Sequence, residues 1–392
     1  MRVIGLISGT SVDGIDGALV EVEGQGYNLT LGFVEGQIWP YPPELRQRIL
    51  QVCAGGALTL AALAELDDAI AQEFARAALS FIHRHGPVDL LASHGQTVFH
   101  RPLGGSRRGP SPGLGYSIQL GRGSEIACQT QVPTVSDFRR ADIEAGGEGA
   151  PLVPIVDQCL LSHPHQARCI QNIGGIGNVT YLPSWNRQTL ASPPPVLGWD
   201  TGPGNSLIDI AIQSLSEGCL TYDQDGAWAA RGVPCQRLVE EWLDHPYLRQ
   251  PPPKSTGREL FGWSYFQRCQ RAAANQGLND FDLVATLTQF TAATIAQSYQ
   301  DFLPALPDAI LVCGGGGYNP VLMQYLQDYL PAIPIGLTDG AGMTANYKEA
   351  IAFAVLGFWH RQGFPANLPS VTGASKAVIL GQMHYPVSVV SS

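Results

Sequence analysis

Val3-Ile4-Gly5-Leu6-Ile7-Ser8-Gly9-Thr10-Ser11-Val12-Asp13-Gly14-Ile15-Asp16 is the stretch that decides the fold, because an apolar strand ends there in a turn of small and polar residues. Such a turn lets backbone N–H groups converge on one point, where they can hold a phosphate. A second apolar strand ends in Asp200-Thr201-Gly202-Pro203-Gly204-Asn205, almost half of the 392-residue chain further on. The two turns, each with an aspartate, predict a duplicated nucleotide-binding fold.

The first turn departs from the two common phosphate motifs. Gly9 and Gly14 have the spacing of a Walker A loop, but Ile15 and Asp16 stand where lysine and serine or threonine belong. Gly175-Ile176-Gly177 is not part of a GxGxxG motif between a strand and a helix. A P-loop and a Rossmann cofactor are therefore disfavoured, and an ordinary β-hairpin turn stays open as the alternative.

Composition narrows the class of protein. A chain of 392 residues predicts two domains, and 45% hydrophobic with 14% charged residues indicates a well-buried globular protein. The net charge of −10 argues against nucleic acid or an anionic membrane as a partner. An anionic cofactor must then be held by backbone amides, magnesium and a few basic side chains.

The cysteines and the hydropathy pattern predict a cytoplasmic protein. The eight cysteines form no CxxC pair and no cluster with histidine at zinc spacing, so we expect reduced core thiols. Met1 and Arg2 lead directly into a strand, unlike a signal peptide. No apolar run reaches the roughly 18 residues of a membrane span.

Periodicity predicts an α/β chain with mixed sheets. Residues 1–22 have the pattern of strand, glycine turn and strand, and residues 169–181 repeat it. A surface loop is expected over 101–117, and an amphipathic helix over 347–361. Further strands are predicted at 88–92, 132–136 and 309–313, and further helices at 60–84, 204–216, 234–243, 263–275 and 282–302.

Asp200 is the sharpest candidate for a general base. It ends an apolar strand after Trp199, where partial burial would raise its pKa and suit it to take a proton from water. The alternative is that Asn205 or Ser206 caps the following helix and that Asp200 is only a turn residue.

Three further features have a functional and a structural interpretation. Gly314 to Gly317 form a floor without side chains that a nucleoside could approach, or simply a loop. Arg139 could bind an anionic group of a substrate bidentately, or pair with Asp142. Glu349 could point into a cleft or face solvent.

Several segments together resemble the anhydro-N-acetylmuramic acid kinase family. They follow in order along nearly the whole chain: Ser8–Asp16, His94–Thr97, Asp137–Arg139, Gly149–Pro154, Asn172–Ile176, Asp200–Asn205, Lys254–Phe261, Cys313–Pro320 and Lys348–Ala350. The resemblance implies an α/β fold with two related actin-like ATPase (ribonuclease H-like) domains around a central nucleotide cleft. We predict these domains at residues 1–135 and 136–392, with the tail 365–392 packing back on the first. The family also implies a homodimer.

The resemblance implies a coupled reaction in peptidoglycan recycling. Water opens the 1,6-anhydro ring of 1,6-anhydro-N-acetylmuramic acid while O6 takes the γ-phosphoryl group of ATP. Asp200 would activate the water, as in half of an inverting glycosidase, and Glu349 would position the water or the sugar. The alternatives are another sugar or small-acid kinase of the same fold, or a non-enzymatic ATP or sugar sensor.

The resemblance also implies the ligand-binding residues for ATP, Mg²⁺ and the sugar. Asp13 would lie near Mg²⁺, directly or through water, and Arg139 would meet the lactyl carboxylate. The other residues expected at the sugar are His94, Gln96, Thr97, Asp200 and Glu349. Those expected at ATP are Gly9, Thr10, Ser11, Val12, Asp13, Gly14, Ile15, Asp16, Asn172, Gly174, Gly202, Gly204, Gly314, Gly315, Gly316 and Asn319.

The chain departs from the family pattern at a few positions. Asn346 stands where the family usually carries aspartate, and Glu148 where it commonly has glutamine. The stretch 121–125 also differs from the usual Gly-Asp. Because none of these changes removes Asp200 or Glu349, we expect activity to survive.

Overall fold

A computed structural model describes residues 1–9, 11–101, 115–187, 189–190 and 192–386, and the chain divides into two compact units. Unit 1 comprises Met1–Leu160 and Tyr347–Ser392, and unit 2 comprises Leu161–Asn346. This division differs from the predicted domains of 1–135 and 136–392. The physical reason is that the last part of the chain returns to the sheet of the first unit, which no local pattern records.

The elements alternate as expected for an α/β chain. The strands are β1 (Arg2–Ser8), β2 (Gly14–Gln25), β3 (Asn28–Pro40), β4 (Leu90–Arg101), β5 (Tyr116–Leu120), β6 (Thr134–Ser136), β7 (Arg168–Ile173), β8 (Gly177–Leu182), β9 (Leu197–Gly202), β10 (Ala309–Cys313), β11 (Ile335–Leu337) and β12 (Gln382–His384). The α-helices are α1 (Pro43–Cys53), α2 (Leu60–His85), α3 (Gly123–Thr130), α4 (Arg140–Glu144), α5 (Pro154–Leu161), α6 (Ser206–Leu215), α7 (Gln236–Leu243), α8 (Trp263–Asn275), α9 (Asp280–Phe302), α10 (Pro320–Tyr329), α11 (Lys348–Gln362) and α12 (Pro369–Thr372).

The two sheets share a common core topology, to which unit 1 adds β5 and β12. In unit 1 the order is β12-β6-β4-β1-β2-β3, with β5 paired to β4, and in unit 2 it is β11-β10-β7-β8-β9. Each sheet starts with an antiparallel meander of three strands, and the first strand of each pairs in parallel with the fourth. The predicted duplication of the fold is therefore confirmed.

The two turns that suggested the duplication are not equivalent to each other. The first turn joins β1 to β2, and its topological counterpart joins β7 to β8 at Gly174–Gly177. The Asp200 turn instead follows β9, the third strand of its sheet. Sequence spacing alone paired the wrong turns, because the position of a strand within its sheet is set by long-range pairing.

Most predicted elements are confirmed, and two differ. The predicted strand 88–92 forms as β4 but continues to Arg101, so His94–Thr97 lie within a strand. The predicted loop 101–117 falls mostly on residues 102–114, which lie outside the described residues, and β5 already begins at Tyr116. No α-helix within the described ranges is long and apolar enough to cross a membrane.

Helix α2 has the predicted helical pattern and covers one face of the first sheet. Thr59 caps its first turn by accepting from Ala62 N at 3.1 Å. Phe74 and Phe81 are fully buried and pack in one cluster with Ile4 and Leu6 of β1. A spacing of three and four residues places such side chains on one helix face, which is why the sequence predicted this helix so closely.

Helix α11 forms where predicted, but it is not amphipathic. All residues from Ala350 to Trp359 are buried, as expected of a helix that is apolar on every side. It lies directly on the sheet of unit 1. The approach is so close that a Cβ on Gly5 would overlap the carbonyl oxygen of Ala350. A Cβ on Gly357 would likewise come within 2.6 Å of the Ala92 side chain. Glu349 in the first turn is therefore fixed by a rigid support.

Unit 2 is organised around α9, which packs on its sheet. Asn279 and Asp282 form a capping box at the start of this helix. Tyr299 packs with Trp199 of β9 and Ile310 of β10 in one buried cluster. This packing holds β9, and with it Asp200, against a long buried helix.

Candidate active site

The first glycine turn is held by hydrogen bonds from the buried side chain of Gln96. Gln96 is fully buried, and its Nε2 donates to the carbonyl oxygen of Gly9 at 3.3 Å. Its Oε1 lies 2.6 Å from Ser8 Oγ, and Val12 N donates to Gly9 O at 3.2 Å. A Cβ on Gly9 would meet only Ser11 Oγ, at 3.9 Å, so the backbone there can be approached by a ligand.

Arg46 of α1 holds the outer side of the same turn. Its Nη2 donates to Asp13 Oδ1 at 3.0 Å, and its Nε donates to the carbonyl oxygen of Val12 at 2.9 Å. Sequence reasoning did not name Arg46, since a partner in a separate helix leaves no local motif. Thr10 of the predicted turn lies outside the described residues.

Asp13 suits Mg²⁺ only together with a nucleotide. The side chain of Asp13 is 68% exposed, and a carboxylate oxygen is a ligand that Mg²⁺ prefers. In the part of the chain that the structure describes, no three His, Cys, Asp or Glu side chains cluster to hold a metal by themselves. Mg²⁺ usually takes one or two protein carboxylates and completes its shell with phosphate and water, and this single aspartate fits that pattern.

Two carboxyl groups of unit 1 influence each other. Asp16 lies on β2, where burial and then the negative charges of Glu349 and Asp13 raise its pKa to about 7. Glu349 comes from the first turn of α11. Near neutral pH Asp16 can therefore carry a proton.

Arg139, which is partly buried, pairs with the buried His94 in the same unit. Arg139 Nε donates to His94 Nε2 at 3.1 Å. Because a guanidinium can only donate, Nε2 must accept, and the ring proton is assigned to Nδ1, 3.0 Å from Gly95 O. Burial, and then the charge of Arg139, lower the pKa of His94 to about 3, so the ring is neutral. Burial lowers the pKa of Arg139 to about 10, and Glu349 opposes that shift.

The alternative pairing of Arg139 with Asp142 is not found. Asp142 is fully buried and accepts hydrogen bonds from Gly149 N at 2.8 Å, Asn367 Nδ2 at 2.7 Å and Thr372 Oγ1 at 2.7 Å. These contacts tie helix α4 to the segment after α11. Asp142 therefore anchors the backbone beside Arg139 and does not pair with the Arg139 guanidinium.

Of the sugar-binding candidates on β4, Gln96 and Thr97 point their polar atoms at the protein. The amide of Gln96 supports the first turn, as described above. Thr97 Oγ1 accepts from Gln119 Nε2 of β5 at 3.1 Å. Among the candidates of unit 1, the structure thus brings His94, Arg139, Glu349 and Asp16 into electrostatic contact.

Asp200 of unit 2 is a partly buried residue whose carboxyl group is held from one side. Its Oδ2 accepts from Thr256 N at 2.9 Å, and its backbone N donates to Lys254 O at 3.1 Å. Burial raises the pKa of Asp200 to about 7, the Thr256 N–H and the charge of Lys254 lower it, and Glu259 raises it. Oδ1 accepts no hydrogen bond from any described residue, which suits a group that must take a proton from water.

The turns after β7 and β9 pack on each other. Asn205 N donates to Gly174 O at 2.8 Å, and Ser206 N donates to Gly175 O at 3.0 Å. Gly204 has a φ of +51°, and a Cβ there would overlap Gly174 O. Asn205 precedes α6 without capping it by its side chain, which instead donates to Ile173 O at 3.2 Å. The capping alternative for Asn205 is therefore not found.

Gln171 braces the second group of turns as Gln96 braces the first. It is fully buried, and its Nε2 donates to Thr201 Oγ1 at 3.2 Å. Its Oε1 accepts from Tyr299 Oη at 2.8 Å. Sequence reasoning expected Gln96 at the sugar rather than behind the first turn, and it did not name Gln171, because a buried amide shows no periodicity of its own.

The four-glycine segment joins these turns at one edge of the sheet. Cys313 at the end of β10 pairs with Asn172 at the end of β7. Gly314 has a φ of +80°, and a Cβ there would lie 2.5 Å from Asn172 Oδ1. Asn172, Gly174, Gly204 and Gly314 are thus brought together, and Gly316 packs on Ile173. Two of the residues expected at ATP have structural contacts instead. Gly202 packs on Thr294, and Asn319 Oδ1 caps α10 by accepting from Val321 N and Leu322 N.

Two sheets with a common core topology, each with a glycine turn after its first strand, form the duplicated α/β architecture that the motif resemblance implies for an actin-like ATPase fold. A comparison with family models identifies the family: the model "Anhydro-N-acetylmuramic acid kinase" matches residues 1–386. The chain belongs to the anhydro-N-acetylmuramic acid kinase family, and the resemblance stated from the motifs is confirmed.

Curated relatives agree over the full length. A protein of that name from Cyanothece sp. (strain PCC 7425 / ATCC 29141) is 54% identical over 98% of this chain and 100% of its own length. One from Trichormus variabilis (strain ATCC 29413 / PCC 7937) is 54% identical over 98% of this chain and 97% of its own. Among solved structures, an activator of 2-hydroxyisocaproyl-CoA dehydratase from Clostridium difficile aligns with a TM-score of 0.45 at 10% identity, covering 92% and 96% of the two chains.

Proposed function

We propose that this chain opens the 1,6-anhydro ring of 1,6-anhydro-N-acetylmuramic acid with water and transfers the γ-phosphoryl group of ATP to O6. The product is N-acetylmuramic acid 6-phosphate, and the setting is peptidoglycan recycling and amino-sugar metabolism. The family match and the names of relatives at 52–54% identity support this substrate. The single observation in the chain that carries the proposal is the carboxyl group of Asp200, which is partly buried, with one oxygen held by Thr256 N and the other without a donor among the described residues.

Asp200 acts as the general base in this proposal. Its Oδ1 takes a proton from water, and the water oxygen forms a bond to the anomeric carbon as the bond from that carbon to O6 breaks. The electron pair of that bond stays on O6, which then receives the phosphoryl group instead of a proton. A pKa of about 7 keeps Asp200 able both to accept the proton and to release it near neutral pH.

The residues of unit 1 recognise the sugar. Arg139 binds the lactyl carboxylate, and it does so strongly because its guanidinium is already desolvated beside the neutral ring of His94. Glu349 holds the sugar or the attacking water from the rigid start of α11. Asp16, with its raised pKa, supports Glu349 by not adding a full second charge at neutral pH.

The glycine turns bind ATP. The backbone of Gly9 to Asp16 and the turns at Gly174 and Gly204 hold the phosphates, and Gly314 to Gly316 form the wall for the nucleoside. Asp13 would hold Mg²⁺, directly or through water, and the ion would supply positive charge to the phosphoryl oxygens. We further propose a cytoplasmic homodimer that binds neither nucleic acid nor membrane.

The test measures ADP release with 1,6-anhydro-N-acetylmuramic acid in ¹⁸O-labelled water. We expect label at C1 of a 6-phosphorylated product, no turnover by Asp200→Asn, and normal turnover by the exposed control Asp328→Asn. ADP release with free N-acetylmuramic acid but not with the anhydro sugar would support another sugar kinase of this fold. Nucleotide binding with no release of ADP would overturn the enzyme assignment itself.

A further inference from the structure

The segment of residues 247–256, which we name the strap, meets Asp200 at three points. Tyr247 Oη donates to the carbonyl oxygen of Asp200 at 2.9 Å. Lys254 O accepts from the backbone N of Asp200 at 3.1 Å, and Thr256 N donates to its carboxylate at 2.9 Å. The strap thus contacts the backbone of Asp200 on both sides and fixes one carboxylate oxygen.

Lys254 closes the strap on itself. Its Nζ donates to the carbonyl oxygens of Tyr247 at 3.4 Å and Leu248 at 3.0 Å, which lie seven and six residues earlier in the chain. The ammonium also lies 4.4 Å from the ring centre of Phe302 and 5.1 Å from that of Tyr247. An ammonium has three donors, and two of them are used within the strap, while the aromatic faces stabilise the charge.

We propose that Lys254 is a positioning residue for the water-activating carboxylate: it holds the strap closed so that the Thr256 N–H fixes Asp200 Oδ2 and leaves Oδ1 for the proton of water. This inference rests on the proposed function, in which Asp200 is the base. Lys254 itself does not touch the reacting atoms, since its Nζ is bonded to main-chain carbonyl groups of its own segment.

The charged groups around Asp200 and Lys254 predict a second measurable effect, a shift in the pH dependence of kcat. Asp200 responds to Lys254, which lowers its pKa, and to Glu259, which raises it. Lys254 in turn responds to Asp301 and Asp200, which both raise its pKa against the effect of burial. Removal of the Lys254 charge should therefore raise the pKa of Asp200 and move the acidic limb of the kcat profile to higher pH.

The test compares Lys254→Met, Lys254→Arg and the exposed control Lys376→Met in full pH profiles. Methionine keeps the apolar stem against Phe302 but has no N–H donor. We expect Lys254→Met to lower kcat by about tenfold or more, with KM for the anhydro sugar changed by less than about threefold. Its acidic limb should move upward by about half a pH unit. Lys254→Arg should recover most of kcat, and Lys376→Met should match the wild type.

Tyr247→Phe keeps the inference testable if Lys254→Met fails to fold. It removes the hydroxyl that donates to Asp200 O but leaves the carbonyl group that Lys254 binds, so it should lower kcat with little change in KM. Wild-type kcat and an unmoved acidic limb in both variants would overturn the inference while Asp200→Asn stays inactive. An inactive wild type with the anhydro sugar would instead overturn the proposed function and this inference together.

Discussion

The guanidinium of Arg139 is oriented by a neutral histidine, since its Nε donates to His94 Nε2 across 3.1 Å. The ring stays neutral because burial and the Arg139 charge lower the pKa of His94 to about 3. An acceptor without charge directs the guanidinium yet does not neutralise it. Arg139 therefore keeps its positive charge, on which the negative charge of Glu349 also acts.

His94→Ala should weaken sugar binding without affecting the chemical step. Loss of the acceptor leaves a partly buried N–H of Arg139 without its His94 partner, which costs about 1 kcal/mol. We expect KM for the anhydro sugar to rise about tenfold, with kcat within about threefold of the wild type. Steady-state kinetics with the exposed control His165→Ala checks this, and a fall in kcat at unchanged KM would contradict it.

Arg139→Met should remove the preference for a substrate with a lactyl carboxylate. We expect kcat/KM for 1,6-anhydro-N-acetylmuramic acid to fall about 100-fold, because a buried charge pair with the substrate is lost. Activity on 1,6-anhydro-N-acetylglucosamine, which has no lactyl group, should change by less than about threefold.

Competition between the two sugars measures this preference directly. Arg139→Lys should not restore it fully, since an ammonium cannot form the bidentate contact. Equal losses on both sugars in Arg139→Met would show that Arg139 supports the fold rather than the lactyl group.

Asp200→Asn should stabilise the protein at high pH while it abolishes activity. Burial raises the pKa of Asp200 from 3.8 to about 7, so folding favours its protonated form. The stability that this group contributes is fully present below its unfolded pKa and is lost as pH rises from about 4 to about 7. An amide keeps an acceptor for the Thr256 N–H and carries no charge.

We expect Asp200→Asn to unfold with a free energy about 1–3 kcal/mol above the wild type at pH 8 and with little difference near pH 4. Urea unfolding at both pH values measures this difference, with Asp328→Asn as the exposed control. Parallel stability curves for wild type and Asp200→Asn would show that Asp200 is not desolvated in solution.

Gly5→Ala should destabilise unit 1 and impair catalysis through α11. A Cβ on Gly5 would overlap the backbone of Ala350, so the helix that carries Glu349 must shift. We expect a loss of about 2–4 kcal/mol in the free energy of unfolding. Gly336→Ala is the matched strand control, because a Cβ there meets nothing within 4 Å. Equal stability of the two variants would contradict the close packing of α11 on β1.

Asn346→Asp, which introduces the residue that the motif resemblance implies at this position, should change turnover by less than tenfold, or about 1.4 kcal/mol of barrier. Asn346 is exposed, and exposed substitutions seldom have large effects. Steady-state kcat at saturating ATP and sugar is the measurement. A larger gain in kcat would show that Asn346, which lies just before α11, lowers the turnover of this protein.

The sequence by itself determined the local elements and the chemistry of the turns. The strand-turn-strand of residues 1–22, helix α2 and strand β10 follow from periodicity and from glycine, which act between residues close in the chain. The order of the motifs also determined the family, and the apolar strand around Asp200 indicated a raised pKa.

Only the tertiary structure decided what supports those residues. Gln96 reaches Gly9 across 87 residues, and Asn367 reaches Asp142 across 225. Long-range packing also decides three further features: the contacts of Lys254, the burial of α11 on every side, and the return of the chain to unit 1. Hydrogen bonds and burial of this range depend on which distant segments pack together, and that packing is set by the whole chain rather than by any local pattern.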